Sequence, residues 1–170
     1  MPNLQFVPEC YAETEMVKLI FEISNDDYLN HAEGIHSVSR ILKQDDVRNF
    51  LNIGFVDNDK KHLPPYFEEF ETIDRITEVV FKKHNTTNDY LVFVSPAIEG
   101  FILAQLQQIN KSPSDYNLPN NFKEFRHKLK KQNIKNHDGY KQMIRDLLNA
   151  NTSGIQFILS KIDSLKNLEL

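Results

Sequence analysis

The amino-acid sequence predicts an α/β protein, with a three-layer domain around a mostly parallel sheet and a helical C-terminal extension. Two observations lead to this fold class. Short apolar segments alternate with helical segments up to residue 110, which is the element order of a parallel sheet covered by helices. After residue 121, the apolar residues follow helical spacing in three successive segments.

The first strand is predicted at residues 4–7, and it ends at Pro8, which has no N–H to donate to a neighbouring strand. Residues 12–24 are predicted as a helix, because apolar residues at positions 16, 19, 20 and 23 share one helical face. A short strand over residues 17–23 is the alternative, since this segment is brief and partly β-branched.

The next elements are a helix over residues 35–44 and an apolar strand over residues 50–56. A short helix at 66–72 and a strand at 76–82 come after them, followed by a strand at 90–94. All five residues of this last strand are apolar, which is typical of a central parallel strand buried on both faces. Ser95 is expected to cap a helix that begins at Pro96 and continues to residue 110.

Residues 111–121 form a polar linker that contains two prolines. It separates an α/β domain at residues 1–110 from a helical extension at residues 122–170, which is expected to pack on the domain. The predicted helices of this extension are residues 122–132, 137–150 and 153–165.

The composition favours a cytoplasmic protein that is not embedded in a membrane. No apolar run approaches the roughly 20 residues that span a bilayer, and no secretory signal is evident. The single cysteine, Cys10, excludes an internal disulfide. Net charge is −4, but residues 1–121 carry −9 and residues 122–146 carry +5. The sequence therefore combines an acidic body with a basic segment.

Four acidic residues follow the carboxyl ends of predicted strands: Glu9, Asp57, Asp59 and Glu99. If the strands are parallel neighbours, these carboxylates converge at one edge of the sheet, where α/β proteins bind ligands. Clustered carboxylates repel one another unless a cation lies between them, and Mg²⁺ or Mn²⁺ prefers such oxygen ligands. The alternative for Asp57 and Asp59 is an ordinary Asp-rich turn.

The residues in this order resemble the Toprim fold, in particular its OLD-like branch and small Toprim-like proteins. Phe6-Val-Pro-Glu9, followed by Glu13, is similar to the strand–Glu opening of that branch. Gly54-Phe-Val-Asp-Asn-Asp59 is similar to the Asp-x-Asp strand, and residues 92–101 are similar to a later strand–Pro–Glu segment. The resemblance covers residues 3–110.

The resemblance implies a metal-dependent nuclease or other phosphodiester phosphotransfer enzyme. Glu9, Asp57, Asp59 and Glu99 would hold Mg²⁺ or Mn²⁺, and Glu9 would also act as general acid or base. Cys10 stands where these proteins usually have glycine, and Glu22 replaces Glu9 as the first glutamate if residues 17–23 form a strand. Lys60 and Lys61 are the basic residues nearest to the aspartates in sequence.

The basic segment 122–146 suggests a contact with DNA or RNA through Lys123, Arg126, Lys130 and Lys131, although a solvated helix face has the same pattern. An inactive Toprim-like interaction module, with a protein partner in a defence or repair assembly, is the alternative function. A flavodoxin-like receiver is a third possibility, but no lysine follows a late strand as that fold requires.

Overall fold

A computed structural model describes residues 4–24, 28–44, 50–59 and 62–166 of the chain. Its centre is a five-stranded sheet in the order β1-β2-β5-β4-β3. The strands are β1 (Leu4–Pro8), β2 (Leu51–Asp57), β3 (Phe70–Arg75), β4 (Val79–His84) and β5 (Asp89–Val94). β1, β2 and β5 are parallel, whereas β4 is antiparallel to both of its neighbours. The sheet is therefore mixed, with a parallel half.

Helices cover both faces of the sheet. They are α1 (Tyr11–Ile20), α2 (Ile35–Leu42), α3 (Ile98–Gln108), α4 (Phe122–Leu129), α5 (Asp138–Asn149) and α6 (Ser153–Lys166). Along β5, Tyr90 and Val92 belong to the larger core with α1, α3, α5 and α6, whereas Leu91 and Phe93 belong to a smaller core with α2. This alternation is expected of a strand, and it confirms the α/β class.

The first two predicted elements are confirmed. β1 is an edge strand that ends at Pro8, and the segment after it is a helix, so the alternative strand at residues 17–23 does not form. α1 stops at Ile20, earlier than predicted, and Glu22 beyond it adopts a left-handed conformation with φ of 52°. Glu9 therefore follows the first strand, and Glu22 follows a helix.

Two predictions in the middle of the chain are wrong. The expected helix at 66–72 is a 3-10 turn at Pro65–Glu69, followed by the unpredicted strand β3. β3 is exposed at most positions because it lies at the sheet edge, so it lacks the apolar pattern of a buried strand. Ser95 does not cap α3, since Ala97 holds that position and the helix begins at Ile98.

The helices after residue 121 share the larger core. Tyr116 and Leu118, within the predicted linker, are buried in that core beside Phe125 of α4. The Tyr140 hydroxyl donates to the Ala12 carbonyl at 2.7 Å, which ties α5 to α1. Within the described residues, no helix is both long enough and apolar enough to cross a bilayer.

Candidate functional site

The carboxyl ends of the three parallel strands bring three acidic residues to one edge of the sheet. Glu9 directly follows β1, Asp57 is the last residue of β2, and Glu99 lies in the first turn of the helix after β5. Because β1, β2 and β5 are parallel neighbours, these positions are adjacent in space. All three residues are buried, with exposed fractions of 7%, 6% and 2% respectively.

Backbone N–H groups hold two of these carboxylates. The Asp57 N–H donates to Glu9 Oε2 at 3.2 Å, and the Ile98 N–H donates to Asp57 Oδ1 at 2.8 Å. Ile98 is the first residue of α3, so Asp57 accepts from the positive end of that helix. The β2 end is also tied to β5, because the Asn58 N–H donates to the Val94 carbonyl at 2.9 Å.

The Asp57 carboxyl group has a raised pKa. Its pKa is raised from 3.8 to about 7, first by burial and then by the negative charges of Glu9, Glu99 and Asp59, which together outweigh the opposing Ile98 hydrogen bond. A carboxyl group in these surroundings is easily protonated near neutral pH. A bound cation would reverse this effect, because it stabilises the charged form.

Glu13 supports the turn that carries Glu9. Its Oε2 accepts from the Glu9 N–H at 2.9 Å and from the Cys10 N–H at 3.0 Å, so it fixes the backbone between β1 and α1. Burial raises the pKa of Glu13 well above its ordinary value, and the charges of Asp57 and Glu9 add to that increase. Cys10 also has a raised pKa, first because of burial and then because of Glu13, so its thiol stays protonated.

Arg126 reaches this edge from α4. Its Nε lies 2.9 Å from Glu99 Oε1, and its Nη2 lies 3.8 Å from Asp59 Oδ2. The sequence assigned Arg126 to nucleic-acid contact and offered only Lys60 and Lys61 as neighbouring cations, and these two lysines lie outside the described residues. Sequence spacing gives no sign of this contact, since the pairing depends on how α4 packs.

His31 is a site residue that the sequence did not indicate. The segment before α2 runs beside β1, with the Asn30 and Ala32 N–H groups donating to the Phe6 and Pro8 carbonyls. This pairing brings His31 to a pocket of about 390 Å³. The pocket is lined by Glu9, Cys10, His31, Glu33, Asp57 and Lys130, among others.

A hydrogen-bond chain defines the tautomer of His31. The Thr14 hydroxyl donates to the Cys10 carbonyl at 2.8 Å, and Thr14 Oγ1 lies 2.7 Å from His31 Nδ1. The hydroxyl has one proton, so Nδ1–H is the donor to Thr14 and Nε2 carries the lone pair. Burial lowers the pKa of His31, which favours this neutral form. Nε2 is enclosed and has no hydrogen-bond partner among the described residues.

The donor chemistry of this edge fits a hard divalent cation, although the side chains are not arranged as ligands in this state. No three His, Cys, Asp or Glu side chains of the described residues stand together as a metal-binding group. Glu99 Oε1 is held by Arg126, but its Oε2 is buried with no hydrogen-bond partner among the same residues. Such an unsatisfied buried oxygen is costly unless a ligand approaches it.

The four predicted nucleic-acid contacts have different surroundings. Arg126 faces the carboxylates, and Lys130 lines both their pocket and a groove along α4. Lys123 is exposed and lines the groove, whereas Lys131 is exposed just beyond the helix.

Comparisons with family models, with curated proteins and with solved structures find no match to this chain.

Proposed function

We propose that this chain is a divalent-metal-dependent phosphodiester-cleaving enzyme of the Toprim-like type, most simply a nuclease that acts on DNA or RNA. The observation that carries the proposal is the convergence of Glu9, Asp57 and Glu99 at the ends of three adjacent parallel strands. A charged carboxylate is costly in a buried position, and neighbouring negative charges add to that cost; the raised pKa of Asp57 reflects first its burial and then these charges. Cation binding is the function that offsets it.

In this proposal Glu9, Asp57, Asp59 and Glu99 hold Mg²⁺ or Mn²⁺. When bound, such a cation polarises a phosphoryl oxygen and lowers the pKa of a coordinated water. Glu9 takes or returns a proton at its carboxylate, the role that the resemblance implies. Arg126 supplies a guanidinium that can pair with the phosphate as negative charge develops there.

The neutral His31 adds a proton acceptor to the same pocket. Its Nε2 lone pair has no partner among the described residues, and Lys130 lines the pocket with it. Nε2 is enclosed in this state, so a hydroxyl or water can donate to it only after a neighbouring side chain of the pocket moves aside. In this mechanism His31 would then orient the attacking group, while the carboxylates hold the cation.

A second candidate function rests on the Arg126–Glu99 contact. Because the guanidinium already neutralises Glu99, the same edge is compatible with a catalytically inactive module whose ion pair replaces a cation. In that case the fold acts through a protein partner in a larger assembly. The two candidates differ in whether a divalent cation displaces Arg126 from Glu99.

Metal titration combined with cleavage assays tests the enzyme proposal. We expect Mn²⁺ or Mg²⁺ to bind the wild type by calorimetry and to support cleavage of plasmid DNA or labelled oligonucleotides. Asp57→Asn and Glu99→Gln should abolish both effects. Glu71→Gln is the matched control, since it removes an exposed carboxylate from β3, at the far edge of the sheet.

The outcomes separate the two candidates. Binding of metal with cleavage of nucleic acid supports the nuclease. A wild type that binds neither cation contradicts the enzyme and favours the inactive module. A wild type that binds a cation but cleaves none of the substrates contradicts the enzyme without favouring that module, whose ion pair takes the place of the cation. If Glu71→Gln lost metal binding and cleavage to the same extent, the losses would come from the change in net charge and not from the removal of a ligand at this site.

A further inference from the structure

Helix α4 presents an exposed aromatic ring at its start. Phe125 and Leu129 are fully buried in the core, with exposed fractions of 0%, as the inner face of an amphipathic helix requires. Phe122 is 51% exposed, although its side chain is apolar. The first turn of α4 therefore holds an aromatic side chain that the fold leaves half exposed.

Phe122 begins a line of side chains that leads to the acidic pocket. Phe122, Arg126 and Lys130 occur at intervals of four residues, so they lie along one side of the helix. At 1.5 Å per residue, the line extends for about 12 Å. Arg126 contacts Glu99 in its middle, and Lys130 lines the pocket of Glu9 and Asp57 at its end.

The surface beside this line is a basic groove. It has a volume of about 780 Å³ and is lined by α4 and the residues just before it, with Lys123, Arg126, His127, Lys128 and Lys130 outnumbering the acidic Glu124. None of these three lysines forms an ion pair with a carboxylate of the described residues. Their charge is therefore available to an anionic partner, on a chain whose net charge is −4.

From this arrangement we infer that α4 binds single-stranded nucleic acid, with a base stacked on Phe122 and the phosphate backbone along Lys123, Lys128 and Lys130. The inference rests on the proposed function and names its substrate class. An unpaired base has a free face for an aromatic ring, whereas the bases of a duplex are stacked on one another. A basic helix without an exposed aromatic residue would serve both forms equally.

Binding measured without divalent cations tests this inference apart from cleavage. The probes are fluorescein-labelled 15-nucleotide single-stranded DNA, single-stranded RNA of the same sequence, and the DNA duplex, in EDTA. We expect the wild type to bind one or both single strands more tightly than the duplex. Phe122→Ala should weaken single-strand binding by about tenfold to a hundredfold, from the loss of one stacked base.

Two controls isolate the stacking contact. Ile73→Ala removes an apolar side chain of similar exposure, 52%, from β3 and should leave all affinities unchanged. Phe122→Tyr keeps an aromatic ring and should keep the affinity within about threefold of the wild type. Lys123→Ala with Lys128→Ala should weaken single-strand and duplex binding alike and reduce their salt dependence.

Two results would overturn the inference: equal affinity of the wild type for duplex and single strands, or a Phe122→Ala variant with unchanged single-strand affinity. A wild type that binds single strands in EDTA but cleaves nothing with Mg²⁺ or Mn²⁺ contradicts the proposed nuclease and supports this inference. Metal-dependent cleavage without a preference for single strands supports the proposed nuclease and contradicts this inference.

Discussion

Two buried aspartates lie at opposite ends of the parallel strands, and their surroundings differ. Asp89 begins β5 and is 3% exposed, whereas Asp57 ends β2 and is 6% exposed. Asp89 accepts hydrogen bonds from the Tyr66 hydroxyl, the Thr87 hydroxyl and the Asn52 amide. Asp57 accepts one from the Ile98 N–H, and the charges of Glu9, Glu99 and Asp59 act on it.

The comparison separates a structural carboxylate from a site carboxylate. A pocket of about 420 Å³ also lies beside Asp89, so pocket size does not distinguish the two ends. What distinguishes them is the supply of hydrogen-bond donors, because three neutral donors satisfy Asp89. Burial raises the pKa of Tyr66, one of these donors, and its hydrogen bond to Asp89 raises it further. Asp57 instead faces carboxylates and therefore needs a cation to be stable in its charged form.

The largest expected effect is the pH dependence that Asp57 gives to stability. The folded state holds the Asp57 proton up to pH about 7, whereas an unperturbed Asp, with a pKa of 3.8, releases it. The folded state should therefore lose stability as pH rises from about 4 to 7, by up to about 4 kcal/mol from this group.

Urea unfolding at pH 4 and pH 8, without divalent cations, measures this loss, and Asp57→Asn should reduce it. Glu13→Gln is a second variant to measure, because the pKa of Glu13 is also raised. Glu13 should therefore also lower the stability of the folded state as pH rises. An Asp57→Asn variant with the full pH dependence of the wild type would show that Asp57 is not the coupled group.

The next effect is at the other end of the sheet. Asp89→Ala leaves the Tyr66, Thr87 and Asn52 donors without their shared acceptor, so we expect a loss of about 3 kcal/mol in the free energy of unfolding at pH 7. Asp57→Asn should be neutral or stabilising under the same conditions. Glu71→Ala, at an exposed position, should change stability by less than about 0.5 kcal/mol. If Asp89→Ala and Asp57→Asn lowered the free energy of unfolding equally, the two aspartates could not be divided into a structural carboxylate and a site carboxylate.

Arg126→Met tests which group neutralises the acidic edge. Removal of the guanidinium leaves the buried Glu99 without its ion-pair partner, and we expect a loss of about 2 kcal/mol in EDTA. If a divalent cation takes the place of the guanidinium, 10 mM Mg²⁺ should restore most of that stability in the variant. Thermal unfolding of both proteins, with and without Mg²⁺, measures the difference. No recovery would favour the inactive module.

The sequence predicts the parallel half of the fold well, for a physical reason. Most residues of β1, β2 and β5 are buried, so these strands are mainly apolar, and charged or polar residues come at their carboxyl ends. β3 was missed because only Phe70 among its residues is buried, and an exposed edge strand has little apolar pattern. The helix after β5 was recognised, but its cap at Ala97 has no side-chain signal.

The site residues also differ in whether the sequence predicts their positions. Glu9, Asp57 and Glu99 follow strands, so the topology predicts that they are close together. Arg126 and His31 reach the edge through packing of α4 and through backbone pairing beside β1, neither of which has a sequence pattern. Residues that a strand end positions are predictable, and residues that tertiary contacts position are not.

The smallest expected effects come from two threonines, one at each end of the sheet. Thr87→Val removes one donor from Asp89, and Thr14→Val removes the hydroxyl between the Cys10 carbonyl and His31 Nδ1. Each should cost about 1 kcal/mol of stability. Only Thr14→Val should change the state of His31, because Nδ1–H loses its acceptor.

NMR detection of the imidazole nitrogens at pH 7.5 separates the two variants. The wild type and Thr87→Val should show His31 protonated at Nδ1, whereas Thr14→Val should show a mixture of both tautomers. A wild type protonated at Nε2 would contradict the hydrogen-bond chain and remove the proton acceptor from the pocket. The carboxylate edge would then have to act without an imidazole, with Glu9 as its remaining proton acceptor.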